Sequence, residues 1–264
     1  MNYFGKTVWI TGAASGIGEA LAYEYSKKEA HVILSDRDEK KLKEVVGNCG
    51  KLGGKAFFAP FDLESPEEIK KVTAEVLKEF PKIDILISNG GISQRSYAIE
   101  TPIAIDRRIM EINFFGAISL TRELLPSLVA EGGGNIVVTS SMAGKFGFPL
   151  RSAYAASKHA LQGFYESLRA ELYDKNVKVT LVSPGRIRTA ISLNAIDKDG
   201  KKHGVLDQGQ SKGMPVDKCA RKIVRAVRRN KKELWVGGTE ILMIYIRLYI
   251  PSLFHFLARR IKPT

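Results

Sequence analysis

Residues 8–18 read Val-Trp-Ile-Thr-Gly-Ala-Ala-Ser-Gly-Ile-Gly, and they give the strongest indication of the fold. The apolar run at residues 8–10 has β-branched and aromatic side chains, which is typical of a buried strand. A glycine-rich turn follows, and residues 19–28 have the composition of a helix. A glycine turn between a strand and a helix can bind phosphate, because glycines permit close approach and the helix N-terminus presents unpaired N–H groups. The glycine spacing differs from G-x-G-x-x-G, so the position of the turn carries this prediction.

A second predicted strand, residues 31–35, ends at Asp36, eighteen positions after Gly18. In dinucleotide sites an acidic residue about 20 positions after the glycine turn binds the adenosine ribose, so Asp36 favours NAD over NADP. Arg37 instead favours NADP, because its guanidinium could bind the additional phosphate of that cofactor. Asp36 could alternatively be a helix N-cap, with Glu39 completing a capping box. The predicted cofactor is therefore NAD, with NADP as the alternative.

A tyrosine and a lysine lie one helical turn apart in the sequence Y-A-A-S-K at residues 154–158. Residues four apart share one face of a helix. A phenol with a pKa of about 10 is a poor base at neutral pH, and a nearby ammonium lowers that pKa. Tyr154 and Lys158 are thus a candidate acid/base device, and an upstream serine could hold the substrate oxygen. The alternative is a solvent-exposed pair, because Tyr-x-x-x-Lys occurs by chance in many helices.

Alternating strand and helix patterns run through the chain without a break in composition. They predict an α/β fold: a single Rossmann-type domain over residues 1–264, with a doubly wound parallel sheet of about seven strands and helices on both faces. An apolar and basic helical tail at residues 240–264 completes it. The ligand is expected outside the carboxyl ends of the strands. The predicted strands are residues 7–11, 31–35, 55–60, 83–88, 135–140, 178–183 and 233–236.

Several separate motifs, in the expected order, resemble the short-chain dehydrogenase/reductase family over nearly the whole chain. The matching positions are residues 11–18 for its T-G-x-x-x-G-x-G turn, residues 88–91 for its N-N-A-G-like strand end, Asn113 for its helix asparagine, Ser141, Tyr154 and Lys158 for its catalytic residues, and Pro184-Gly185 with Thr189 for its turn after a strand.

The resemblance implies an oxidoreductase that transfers a hydride between a nicotinamide and an alcohol/carbonyl pair. By the same resemblance Tyr154 exchanges the substrate proton, Ser141 binds the same oxygen, and Lys158 both lowers the tyrosine pKa and binds the nicotinamide ribose. The spacing of thirteen residues to the tyrosine favours Ser141 over Ser140. Asn113 resembles the residue that holds a water in a proton relay, although it could instead satisfy a kink in a buried helix.

The resemblance also implies a set of cofactor-binding residues. Ser15 stands where many NADP-preferring relatives have a basic residue, which supports NAD. The implied set is Gly12, Ser15, Gly16, Ile17, Gly18, Asp36, Arg37, Asp62, Leu63, Asn89, Gly90, Tyr154, Lys158, Pro184, Gly185, Ile187 and Thr189.

Within the family, residues 183–189 and 194–196 most resemble the branch with 11-beta-hydroxysteroid dehydrogenase and related membrane-associated dehydrogenase/reductases. This branch implies a lipophilic alcohol or ketone as substrate. The residues leave a steroid, retinoid, fatty alcohol, ketoacyl thioester or sugar open. A ketoacyl-thioester reductase is the nearest alternative enzyme. The family also implies a homodimer or homotetramer.

Charge and composition limit the kinds of partner, metal site and location that the chain can have. The chain has 41 Lys and Arg against 28 Asp and Glu, a formal charge of +13. We interpret the excess first as a solvated helix face and next as attraction to anionic lipid or phosphate, since no nucleic-acid motif accompanies it. Two cysteines and four scattered histidines indicate neither a disulfide scaffold nor a metal site. The first strand begins within ten residues, which leaves no room for a signal peptide and predicts a cytoplasmic location.

The C-terminal tail is strongly apolar at residues 241–250 and 253–258 and is interrupted by Arg247 and Pro251. A spanning helix needs about 20 predominantly apolar residues, so spanning is not expected. Peripheral membrane contact through an interfacial helix is one interpretation. Packing over the substrate pocket or against a partner subunit is the other.

A long irregular stretch, residues 190–214, is predicted to cover the substrate. It is called the substrate loop below. Two rivals to the enzyme stay open at this point: a nucleotide-binding regulatory protein that has lost turnover, and a membrane-surface protein built around the basic tail. The intact Ser141, Tyr154 and Lys158 argue against lost turnover.

Overall fold

One parallel sheet of seven strands forms the centre of the fold. The computed structural model describes residues 2–261. Met1 and residues 262–264 of the predicted tail lie outside the described residues. The strands are β1 (Thr7–Thr11), β2 (His31–Ser35), β3 (Ala56–Phe58), β4 (Ile85–Ser88), β5 (Gly134–Thr139), β6 (Val177–Pro184) and β7 (Glu233–Val236).

The strand order is β3-β2-β1-β4-β5-β6-β7, and every adjacent pair is parallel. Val8 of β1 pairs with Val32 on one side and with Ile85 on the other. The direction of winding therefore reverses between β1 and β4. In open α/β sheets this switch point is where ligands bind.

Helices cover both faces of the sheet, which confirms the predicted fold class. The helices of the main body are α1 (Gly16–Ser26), α2 (Glu39–Gly50), α3 (Pro66–Glu79), α4 (Ile103–Met110), α5 (Gly116–Ala130), α6 (Ser152–Glu171), α7 (Gln208–Ser211) and α8 (Val216–Arg228), and those of the tail are α9 (Leu242–Tyr249) and α10 (Pro251–Ala258).

Alternation along the strands builds two cores. Val8 and Ile10 of β1 face a core with α1, α2 and α8, whereas Trp9 faces the core with α3, α5 and α6. All three side chains are fully buried. A strand that is apolar on both faces is what a sheet covered by helices on each side requires.

The strand bounds differ from the prediction mainly at β3, which covers three residues instead of the expected 55–60. This strand lies at the edge of the sheet and pairs only with β2. The N–H of Ala59 still donates to the carbonyl of Leu34 at 3.0 Å, and Pro60 follows directly. The other strands agree with the prediction to within two residues at each end.

The tail forms two short helices, and among the described residues no helix is sufficiently long and apolar to cross a membrane. Ile244 and Phe254 are buried against Met142 and Phe146, which follow the end of β5. The opposite face of the tail leaves large apolar side chains exposed. These are Leu242, Tyr245, Leu248, Tyr249, Ile250, Leu253 and Phe256.

Candidate active site

A cavity of about 460 Å³ lies at the carboxyl ends of β1, β2, β4, β5 and β6. Predicted residues from separate motifs meet in its wall, and among the predicted set only Gly18 and Asn113 do not line it. The predicted residues in the wall are Gly12, Ser15, Gly16, Ile17, Asp36, Arg37, Asp62, Leu63, Asn89, Gly90, Ser141, Tyr154, Lys158, Pro184, Gly185, Ile187 and Thr189.

The glycine turn between β1 and α1 has a left-handed backbone at Gly12 (φ +64°) and Gly16 (φ +60°). Asn89 holds this turn: its Nδ2 donates to the carbonyl of Thr11 at 3.2 Å, and its backbone N–H donates to Thr11 Oγ1 at 3.0 Å. A Cβ at Gly12 would lie 2.7 Å from Gly90 Cα. The turn is therefore fixed against the end of β4, with the N-terminus of α1 at the cavity.

Gly18 has a packing role, and its predicted contact with the cofactor stays a prediction. A Cβ there would lie 2.1 Å from the carbonyl oxygen of Gly12, a distance that no side chain can adopt. Gly18 is buried and outside the cavity wall. It allows α1 to start directly against the turn.

Asp36 directs its carboxylate at the glycine turn. Its Oδ2 accepts from the N–H of Ala14 at 3.2 Å, and its Oδ1 accepts from the N–H of Asp38 at 3.0 Å. The N-cap of α2 is Asp38, whose side chain accepts from the N–H of Lys41. The alternative role of Asp36 as a helix cap is therefore wrong, and its carboxylate lies in the cavity wall.

Arg37 pairs with Asp62 across the same end of the cavity, with 3.7 Å between Nη1 and Oδ2. Both side chains are partly exposed. Leu63 lies beside them, 2.5 Å from the position that a Cβ on Gly90 would take. Asp36 and Asp62 therefore place two carboxylates near Arg37 in the cavity wall, which also includes Asp38 and Lys41.

The two adjacent serines after β5 have different hydrogen bonds. Ser140 is buried and donates to the carbonyl of Lys158 at 3.0 Å. Ser141 accepts from the N–H of Ala143 at 3.1 Å and makes a long contact of 3.5 Å with the carbonyl of Pro184. Because the Ser140 hydroxyl already holds α6 in place, Ser141 is the better placed of the two to bind a ligand oxygen.

Tyr154 and Lys158 lie in the first two turns of α6, with the lysine Nζ 5.8 Å from the centre of the tyrosine ring. Both residues are buried, with exposed fractions of 6% and 4%. Lys158 Nζ donates to the carbonyl of Thr139 at 2.9 Å. Burial lowers the pKa of Lys158 to about 8. The solvent-exposed alternative for this pair is therefore wrong.

Asn113 lies in a π-helical turn, Glu111–Phe115, that joins α4 to α5. Its Oδ1 accepts from the N–H of Ile92 at 2.8 Å, and its Nδ2 donates to the carbonyl of Ile92 and to Ser157 Oγ, each at 3.0 Å. A Cβ at Gly91 would lie 2.8 Å from Asn113 Oδ1 and 3.5 Å from Lys158 Nζ. Asn113 thus fastens the segment after β4 to α6, which fits its alternative structural role.

The turn after β6 is held by a residue of the tail. Glu240 Oε1 accepts from the N–H of Arg186 at 2.7 Å. A Cβ at Gly185 would lie 2.1 Å from the same oxygen, so a side chain there would displace the Glu240 carboxylate from this bond. The tail therefore supports one wall of the cavity from behind, and no described residue of α9 or α10 lines it.

Sequence reasoning missed four polar residues around Tyr154: Gln94, Arg95, Arg151 and Asp207. Gln94 Oε1 accepts from the N–H of Ala153 at 2.9 Å and from that of Tyr154 at 3.3 Å, and thereby caps α6. The position of Arg151, three residues before Tyr154, could have indicated that it lies near the tyrosine. Nothing in the sequence indicated this for Gln94 and Asp207, because their contacts join residues more than fifty positions apart.

Comparisons with known proteins agree with this geometry. The family model of the short chain dehydrogenases matches residues 6–200. The chain is 40% identical over 254 residues to dehydrogenase/reductase SDR family member 7B of Xenopus laevis, covering 94% of this chain and 79% of that protein. It is also 40% identical over 258 residues to the SDR family protein 7-like of Drosophila melanogaster, covering 96% of this chain and 79% of that protein.

Solved structures give the same fold. A short chain dehydrogenase/reductase of Burkholderia phymatum in complex with NAD superposes with a TM-score of 0.85 at 21% identity, covering 100% of this chain and 98% of that one. A short-chain dehydrogenase of Streptomyces avermitilis gives 0.83 at 28% identity, covering 96% and 95%. With its motifs, sheet and cavity in agreement, the chain belongs to the short-chain dehydrogenase/reductase family and is an oxidoreductase.

Proposed function

We propose that the chain interconverts an alcohol and its ketone or aldehyde, with NAD as redox cofactor and Tyr154 as the acid/base. The observation that carries the proposal is that Ser141, Tyr154 and Lys158 lie in the wall of the same cavity as the glycine turn and Asp36. Proton exchange and dinucleotide binding are therefore possible within one site.

The cavity fits a dinucleotide on its own features. Gly12 and Gly16 present a left-handed turn without side chains at the N-terminus of α1, which suits a pyrophosphate. Thr139 Oγ1 is buried without a hydrogen-bond partner among the described residues, and Thr139 lines the cavity near Lys158. A buried hydroxyl of this kind is costly unless a ligand or water satisfies it.

Asp36 supports NAD over NADP. Its carboxylate is held by two N–H groups at the position expected for the ribose hydroxyls, and negative charge there repels a 2′-phosphate. Arg37 does not offset this charge alone, because Asp62 pairs with it. The relative from Burkholderia phymatum is in complex with NAD.

When bound, the nicotinamide supplies the hydride chemistry. Tyr154 accepts the hydroxyl proton during oxidation and donates it during reduction. Ser141 donates a hydrogen bond to the same oxygen. The Lys158 ammonium places positive charge where negative charge develops when Tyr154 gives up its proton, and it retains N–H donors for a ribose hydroxyl beyond its bond to Thr139.

The substrate proposal is a lipophilic alcohol or ketone. Apolar residues of the substrate loop, Ile191 and Ile196, line the cavity together with Ile92 from the segment after β4. They would contact the body of a substrate whose hydroxyl reaches Tyr154. A carrier-bound ketoacyl thioester is the nearest alternative.

The test is turnover by the purified chain with NAD and a panel of decan-2-ol, a steroid alcohol, retinol and a 3-hydroxyacyl thioester. We expect oxidation of a lipophilic member, and Tyr154→Phe should abolish turnover while leaving NADH binding and the thermal midpoint unchanged. Undiminished turnover by Tyr154→Phe would contradict the chemistry. Dinucleotide binding with no turnover on the panel would favour the regulatory alternative.

Two partner proposals accompany the reaction. The exposed apolar face of α9 and α10, bordered by Arg247, Arg259 and Arg260, suits peripheral contact with an anionic membrane. A homodimer or homotetramer is the second, and the mass of the protein in solution tests it. The cytoplasmic location stays a prediction.

A further inference from the structure

Two buried charged side chains and one partly buried one join the substrate loop to the start of α6. Asp207 is in the loop, and its Oδ2 lies 2.9 Å from Arg151 Nη2 and in close contact with Arg95 Nη2. Arg95 Nε also lies 3.3 Å from Asp207 Oδ1. The exposed fractions of the side chains are 1% for Arg95, 4% for Asp207 and 16% for Arg151. We call this set the Arg95–Asp207–Arg151 triad.

The members of the triad come from three separate segments. Arg95 follows β4, Arg151 directly precedes α6, and Asp207 directly precedes α7 within the substrate loop. Both arginines line the cavity that holds Tyr154. Asp207 is thus the one member contributed by the loop, and it bonds to both sides of the cavity mouth.

The contacts around the triad extend the same connection. The N–H of Arg95 donates to the carbonyl of Ile196 at 2.8 Å, and the N–H of Ile196 donates to the carbonyl of Ser93 at 2.9 Å. Gln94, which lies between Ser93 and Arg95 in the sequence, caps α6 at Ala153 and Tyr154. Residues 93–95 therefore hold the substrate loop and the catalytic helix at once.

Burial makes this connection sensitive to the position of the loop. Burying a charge is costly unless it is paired, and movement of Asp207 would break its ion pairs with both Arg95 and Arg151. Burial and the neighbouring Arg95 lower the pKa of Arg151 to about 10, with Asp207 acting in the opposite direction. A buried ion pair adds little net stability over apolar packing.

We propose that Asp207 is a positioning residue that holds the substrate loop against the N-terminus of α6, so that the loop and Tyr154 keep one relative arrangement. The claim that this arrangement serves turnover rests on the proposed function. The contact of Asp207 with the two arginines does not depend on that function, and it can be tested without substrate or cofactor.

The test is limited trypsin digestion of the full chain, followed by intact mass. Lys198, Lys201 and Lys202 are exposed cleavage sites in the substrate loop. Arg151→Met removes the ion pair between Asp207 and the start of α6 but keeps the Arg95–Asp207 pair, so we expect the variant to fold. Losing one charge-assisted bond should raise cleavage at these lysines about tenfold. Arg151→Lys, which restores a cation for Asp207, should return cleavage close to the wild-type rate.

Arg221→Met is the matched control, because Arg221 pairs with Asp217 at 2.7 Å on the exposed surface of α8. It should leave loop cleavage unchanged. The proposal is overturned if Arg151→Met cleaves at the wild-type rate, if Arg151→Lys does not restore it, or if cleavage rises equally throughout the chain. With the best alcohol of the panel, Arg151→Met should raise KM about tenfold and change kcat less, because the chemistry is intact.

A fall in kcat at unchanged KM would contradict the positioning role even where loop cleavage rises. Failure of the panel to give any turnover would count against the oxidoreductase proposal alone, since the digestion does not depend on it. Unchanged digestion with active enzyme would count against the triad alone.

Discussion

Lys158→Met should make the protein more stable at neutral pH while abolishing turnover. Lys158 is buried, and burial lowers its pKa from 10.5 to about 8. At about 1.4 kcal/mol for each tenfold change in proton affinity, holding this ammonium in the folded chain costs about 3 kcal/mol. Methionine fills similar volume without charge. The lost hydrogen bond to Thr139 offsets about 1 kcal/mol, leaving a net gain of about 2 kcal/mol at pH 7.

The sign of the pH dependence follows from proton counting. Between pH 8 and 10.5 the unfolded chain retains the Lys158 proton and the folded chain has lost it, so wild-type stability from this group rises with pH. Below pH 8 the full cost is present. The stability difference between Lys158→Met and wild type should therefore shrink by about 3 kcal/mol from pH 7 to pH 10.5 and reverse sign.

Urea unfolding at pH 7, 8, 9 and 10 measures this difference. The matched control is Lys82→Met, because Lys82 also donates to a backbone carbonyl, that of Glu131, but is exposed. A difference between wild type and Lys158→Met that stays constant across the range would refute the reasoning. So would a Lys158→Met protein that is less stable than wild type at pH 7.

Three further predictions concern the cofactor, the catalytic helix and the tail. Asp36→Ser should lower the NAD-over-NADP preference at least tenfold, measured by dinucleotide titration, whereas Asp38→Asn should not. Gln94→Leu removes the acceptor at the start of α6 and should cost about 1–3 kcal/mol in urea unfolding and reduce kcat, with Gln94→Glu retaining more of both. Leu248→Glu should weaken co-sedimentation with phosphatidylserine vesicles about tenfold. The control is Tyr173→Glu, at an exposed tyrosine outside the tail, which should not weaken it. Equal binding by both variants would argue against membrane contact.

The sheet and the cavity were predictable because their signals are local. The strand, turn and helix at residues 7–26 follow from the apolar run and the glycines, and Tyr154 and Lys158 share a helix face by spacing alone. Ser141 could be preferred over Ser140 by spacing, and the hydrogen bond from Ser140 to Lys158 supplies the physical reason.

The connections between distant segments were not predictable. The cap of α6 by Gln94 joins residues about sixty positions apart, and the pair between Arg95 and Asp207 joins residues separated by 112 positions. Neither side chain lies in a periodic pattern. The packing role of Gly18 also required coordinates, because a glycine that excludes a clash and one that contacts a ligand have the same sequence signature.

We propose above that Tyr154 exchanges a proton at the site where a nicotinamide dinucleotide binds. A crystal structure of the full chain grown with equal concentrations of NAD and NADP measures this directly. We expect bound NAD, with its adenosine ribose on Asp36 and its nicotinamide ring in contact range of the Tyr154 hydroxyl. A dinucleotide whose nicotinamide lies away from Tyr154 and Lys158 would contradict it.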